Sequence, residues 1–195
     1  MNKQDVITFF DHYASTWDAR MIRNESVINT ILDHGGVSTG CTVLDVACGT
    51  GVLFPDYLHR NVKSVTAVDI SPEMTRIASR KYPNSPIEVI CGDIETLSLD
   101  QEFDCCMVYN AFPHFPDPKH LIAVLASHLK PGGILSVAHG MSRERINRHH
   151  EGRASKVSMG LLSEQELSNI FAQYLEVTTV ISDDTMYQVC GRKPI

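Results

Sequence analysis

With 195 residues, 43% of them hydrophobic, the chain is sized for one compact domain with an ordinary core. Its 17 basic and 23 acidic residues leave a formal charge of −6, and no Lys/Arg block forms a stripe for nucleic acid. The opening MNKQDVITFFDHYAS lacks the apolar core of a signal peptide, and no apolar run approaches the ~20 residues that span a bilayer, so a soluble cytoplasmic protein is expected.

In chain order, an N-terminal helical region leads to an early helix over roughly 21–34, closed by Gly35-Gly36. Strands are predicted at TVLDVA (42–47), SVTAVDI (64–70), IEVICGD (87–93), FDCCMVYNA (103–111) and GILSVAHG (133–140). These five runs are apolar on both alternating faces, as strands covered on both sides should be. Helices between them carry start signals: Ser71-Pro72, Asp117-Pro118 and the capping box Ser163-Glu-Gln-Glu166. VTTVISDD and MYQVCGRK then lie close together and predict an antiparallel hairpin at the sheet edge. Strand–helix alternation of this kind gives an α/β domain whose parallel sheet carries helices on both faces. Cys41, Cys48, Cys91, Cys105, Cys106 and Cys190 form no C-x-x-C pair and read as small core residues.

Such sheets bind ligands beyond the carboxyl ends of their strands. The first strand ends in Asp45-Val-Ala-Cys-Gly49-Thr-Gly51, where glycines permit a tight turn and close backbone approach to a ligand. The second ends in Asp69, placed to accept both hydroxyls of a ribose. The third ends in Asp93 and the fourth in Asn110. A nicotinamide dinucleotide fits poorly, because Phe54 stands where the third glycine belongs and Asp45 would repel a pyrophosphate. A carboxylate there suits a ligand with a cationic end. Nucleoside plus cation points to S-adenosylmethionine.

VLDVACGTG, AVDIS, CGDIE and the PGG before the fifth strand, in that order, resemble the motifs of class I S-adenosylmethionine-dependent methyltransferases. The opening FFDHYASTWD is similar to the N-terminal segment of their small-molecule branch. The resemblance covers essentially the whole chain and implies a single Rossmann-like, doubly wound α/β domain with a seven-stranded, mostly parallel sheet whose last strand is antiparallel. It also implies that Asp45 holds the methionine amino group, directly or through water. The backbone of Ala47, Gly49 and Gly51 would line the methionine side, Asp69 would take the ribose and Asp93 the adenine amino group. Ile70, Met74 and Ile94 would clasp the nucleoside. Ala47 departs from the usual glycine and is tolerable there if its φ is negative.

Methyl transfer from a sulfonium needs alignment, exclusion of water and, for some acceptors, removal of a proton. The acceptor is expected beyond the fourth and fifth strand ends. His114 and His139 are the candidate bases, and Phe112 is a candidate acceptor contact; Asn110 borders the cofactor. Tyr13 and Trp17, four apart on a helix, form an aromatic lid. In HGMSRERINRHHEG, Ser142 caps a short helix that puts Arg143, Ile146, Asn147 and His150 on one face. That face suggests a polar or anionic small-molecule acceptor. A metal version, with His114, His139 and either His149 or His150 gathering Zn, Ni or Cu, stays open.

Residues 1–195 are therefore expected to form one methyltransferase domain, with 1–41 as a helical cap over the cofactor and 141–162 as a substrate-side insertion. The protein would be a monomer or homodimer. Two alternatives remain: a non-catalytic S-adenosylmethionine-binding sensor or assembly protein, and, less favoured, an NAD(P)-dependent oxidoreductase.

Overall fold

The structure, a computed structural model, describes residues 1–150 and 156–195, with the side chains of 149 and 150 outside the described set. Among the described residues one seven-stranded sheet runs in the order β3-β2-β1-β4-β5-β7-β6. Its strands are β1 (Thr42–Val46), β2 (Ser64–Asp69), β3 (Ile87–Cys91), β4 (Phe103–Tyr109), β5 (Leu129–His139), β6 (Glu176–Ser182) and β7 (Tyr187–Arg192). Neighbours from β3 to β5 are parallel, whereas β7 is antiparallel to both β5 and β6. The predicted hairpin is thus present, but its second strand is the inner one and β6 forms the edge.

The central strands are buried along both faces, as a parallel sheet covered by helices requires. β3 departs from that expectation. It is an edge strand with alternating exposure, and its Cys91 lies open to solvent rather than in the core. β5 starts four residues earlier than its apolar run, at Leu129, because Leu129 pairs with Phe103 ahead of a register shift.

Two apolar clusters flank the sheet. One gathers α2 (Glu25–His34), α3 (Phe54–His59) and Ala78 of α4 (Pro72–Lys81). The other gathers α5 (Pro118–Ser127), Ile146 of α6 (Arg143–His150) and α7 (Glu164–Phe171). The helix starts follow their chemistry: Ser71 Oγ accepts from Met74 N, Asp117 Oδ1 from His120 N, and Ser163 closes its capping box with Glu166. The early helix begins later than predicted, because Asn24 caps it by accepting from Val27 N, so residues 21–24 form a link. Ahead of it, α1 (Lys3–Arg20) lies across the carboxyl ends of β1 to β3. No helix among the described residues is long and apolar enough to cross a membrane.

Candidate functional site

A cavity of ≈ 460 Å³ opens at the carboxyl ends of the strands, roofed by α1. Of the residues singled out from the sequence, Ala47, Gly49, Asp69, Ile70, Met74, Asp93, Ile94, Asn110, Tyr13, Trp17, His114 and His139 line it.

The β1 turn is built from left-handed backbone. Ala47 has φ 54, Gly49 φ 57 and Gly51 φ 84. The condition attached to Ala47, a negative φ, is therefore not met, and its Cβ bears the strain that glycine would avoid. Nothing lies within 4 Å of where a Cβ on Gly49 would stand, so that side of the turn faces open space. Gly51 does not line the cavity; a Cβ on it would fall 2.5 Å from the Phe54 ring. Phe54 thus packs beneath the turn where a dinucleotide fingerprint would have its third glycine.

Asp69 Oδ2 accepts from Gly49 N at 2.8 Å and its Oδ1 from Ser71 N at 2.9 Å, so one carboxylate pins two strand ends. Burial raises its pKa, the two N–H donors pull it back, and the charge of Asp11 adds to the rise. Asp45 does not line the cavity and lies at 2% exposure on β1, below the Ala47–Gly49 turn. Direct contact with a ligand is not what this placement gives. Burial first, and the charge of Asp69 second, push its carboxyl up to about 8, with the Tyr57 hydroxyl offsetting a little. Its Oδ2 meets no hydrogen-bond donor among the described residues. A buried carboxyl without a counter-charge suits a site that receives a cation.

α1 fastens to all three strand ends. Lys3 Nζ reaches Asp93 Oδ2 at 2.5 Å and Glu95 Oε2 at 2.6 Å. Asp11 Oδ1 accepts from Ser71 Oγ at 2.6 Å and from Glu73 N at 3.1 Å. Asp18 accepts from Thr50 Oγ1 at 2.5 Å and pairs with Lys81 at 2.7 Å. Sequence reasoning missed Lys3, Phe10 and Arg20 as cavity residues and saw only Tyr13 and Trp17. The signal was there: Lys3, Val6, Phe10, Tyr13, Trp17 and Arg20 all line the cavity and alternate by three and four, one stripe of a helix.

At the other end, Asn110 has φ 55, a conformation asparagine tolerates, and its Oδ1 accepts from Gly140 N at 3.0 Å, tying β4 to β5. His139 is 2% exposed, its ring edge-on to Tyr187 at 6.1 Å. His114 is edge-on to Phe10 at 4.9 Å, with Nδ1 2.6 Å from the Val157 carbonyl oxygen. Burial lowers its pKa, so the neutral ring is favoured, and the hydrogen bond opposes that in part.

The acceptor-side expectations need correction. Phe112 sits in the core at 2% exposure, while Phe115, past the Pro113 turn, reaches the cavity. Ser142 does cap α6, accepting from Arg145 N at 3.4 Å. Arg143 and Asn147 do not line the cavity, because both bind the backbone of residues 161–162. Among the described residues of that face Ile146 alone contributes to the wall; the side chain of His150 lies outside the described residues. Arg143 and Asn147, two of the residues that suggested an anionic acceptor, are thus spent on the protein itself. Among the described residues no three of His, Cys, Asp and Glu gather as metal ligands.

Comparison with known proteins agrees with this geometry. Residues 44–137 match the family described as "Methyltransferase domain". A malonyl-[acyl-carrier protein] O-methyltransferase of Priestia megaterium is 31% identical over 141 residues, 69% of this chain and 51% of that protein. The chain spans about half the length of the first curated relatives it matches. The N-methyltransferase NodS from Bradyrhizobium japonicum WM9, in complex with S-adenosyl-L-homocysteine, superposes with TM-score 0.68 at 18% identity, covering 86% of this chain and 85% of that one. The [4+2]-cyclase SpnF superposes with TM-score 0.80 at 18% identity, covering 100% and 98%. At such identities the likeness carries the fold alone.

Proposed function

The chain belongs to the class I S-adenosylmethionine-dependent methyltransferases, and from that premise we propose that it methylates a small molecule seated between α1 and the ends of β4 and β5. One observation carries the proposal: the β1 turn, Asp69 and Asp93 share a single cavity with two imidazoles, His114 and His139. S-adenosylmethionine, when bound, supplies an electrophilic methyl group on a sulfonium.

The chain's own residues do the rest. The backbone of Ala47 and Gly49 would cradle the methionine portion, Asp69 the ribose and Asp93 the adenine amino group. Ile70, Met74 and Ile94 would hold the nucleoside by apolar contact. Asp45 would act from beneath the turn, through water or through the field of its charge, rather than by touching the ligand. Phe10, Trp17, Phe115, Met141 and Ile146 wall the acceptor end, which suits an acceptor with an apolar, ring-bearing body. His114 takes the proton when the acceptor must lose one, since its ring is favoured in the neutral, proton-accepting form. His139 orients the acceptor from the β5 side.

Because the fold neighbours include a [4+2]-cyclase, fold alone does not fix the reaction. Calorimetric titration with S-adenosylmethionine and S-adenosylhomocysteine, with NAD and NADP as controls, tests the cofactor. Binding of the adenosyl pair alone is expected; preference for a nicotinamide cofactor would overturn the assignment. In an acceptor screen, His114→Gln and His139→Ala should keep S-adenosylhomocysteine affinity and lose turnover. Parental turnover in either variant removes that histidine from the mechanism.

A further inference from the structure

Arg143 and Asn147 are both spent on one neighbouring segment. Arg143 Nε donates to the carbonyls of Leu161 and Leu162 at 2.9 and 3.1 Å, and Asn147 Oδ1 accepts from Leu161 N at 2.7 Å. The same segment is fastened at its other end to the turn that carries His114. Met159 N donates to the Pro113 carbonyl at 2.9 Å, and the Val157 carbonyl meets His114 Nδ1 at 2.6 Å. Gly160, at φ 76, turns the chain between the two attachments. Residues 157–162 therefore form a strap between α6 and the His114 turn.

A carbonyl oxygen only accepts, so the nitrogen facing it carries the hydrogen. In a neutral imidazole the other nitrogen is then the acceptor. We infer that Arg143 and Asn147 are positioning residues that act through this strap to hold His114 with its hydrogen on Nδ1 and its proton-accepting nitrogen at Nε2. The inference rests on the proposed role of His114 as the base. It gives the polar face of α6 a task in setting that base rather than in touching the acceptor.

The test needs no acceptor. The full-length protein, labelled with 15N-histidine and free of ligand, is followed by long-range proton–nitrogen correlation at about pH 8, where the ring is neutral. The His114 signals are assigned by their loss in His114→Gln. The parent should show a single Nδ1–H pattern at His114. Asn147→Leu, which leaves Leu161 N without its acceptor, should lose that single pattern. Asn147→Asp keeps an acceptor oxygen and should restore it. Unchanged S-adenosylhomocysteine binding in both variants would show an intact cofactor site. Should Asn147→Leu fail to fold, Arg143→Met removes the second side chain that holds the same end of the strap. A single Nδ1–H pattern surviving in both Asn147→Leu and Arg143→Met overturns the strap, as does a parent His114 protonated on Nε2. Parental turnover by His114→Gln overturns the base role instead, while the tautomer pattern still decides the strap, so the two failures are separate.

Discussion

Asp45→Asn should make the ligand-free protein more stable while weakening its hold on the cofactor. The Asp45 carboxyl is raised to about 8 by burial and by Asp69, against an ordinary value of 3.8. The folded state therefore keeps a proton that the unfolded chain releases, and stability falls as pH rises between those two values. The favourable balance is complete below about 4, is lost progressively up to about 8, and changes no further beyond. At about pH 7 the accumulated penalty is on the order of 4 kcal/mol, at 1.36 kcal/mol per unit. Asparagine keeps the shape and sheds the titration, but it still buries an amide whose partners are incomplete, which costs about 1–3 kcal/mol. A net gain of roughly 1–3 kcal/mol remains, or about 3–10 °C in Tm for a chain of this size. Scanning calorimetry of parent and variant from about pH 5 to 8 reads it: the gap should open with rising pH and close toward 5. Affinity for S-adenosylmethionine should drop about tenfold or more, because asparagine cannot ionise in response to the ligand's cationic end as the Asp45 carboxyl can. A variant equal to or less stable than the parent at neutral pH, or a gap that ignores pH, would mean that Asp45 is ionised and already paired.

Ala47→Gly should relieve the left-handed strain of about 1–2 kcal/mol while adding the chain entropy of glycine, about 0.5–1 kcal/mol, so denaturant unfolding should show a gain between zero and about 1.5 kcal/mol. A clear loss would show that the alanine methyl packs usefully where it is. Gly51→Ala should cost about 2–4 kcal/mol in the same assay, since its Cβ falls 2.5 Å from the Phe54 ring at φ 84; parental stability would refute the description of Phe54 as the floor of the turn.

Local chemistry wrote much of this protein directly into its sequence. Alternating apolar runs and cap residues such as Ser71, Asp117 and Ser163 report on neighbours a few residues away, so strands, helix starts and the final hairpin were legible before any folding. So were Asp69 and Asp93, because a strand end in a parallel sheet is a place that order along the chain already defines. What depends on distant partners was not legible. The sign of φ at Ala47 is set by the turn's need to reach Val68 and Asp69, and the charge state of Asp45 by how deeply β1 lies between β2 and β4. The exposure of β3 follows from its place at the sheet edge, which its own residues do not encode. Most of all, Arg143 and Asn147 carry side chains that suit a ligand or a backbone equally well. Only the tertiary path of residues 157–162 decided between them, by bringing the Leu161 and Leu162 carbonyls and the Leu161 N–H within reach of those groups.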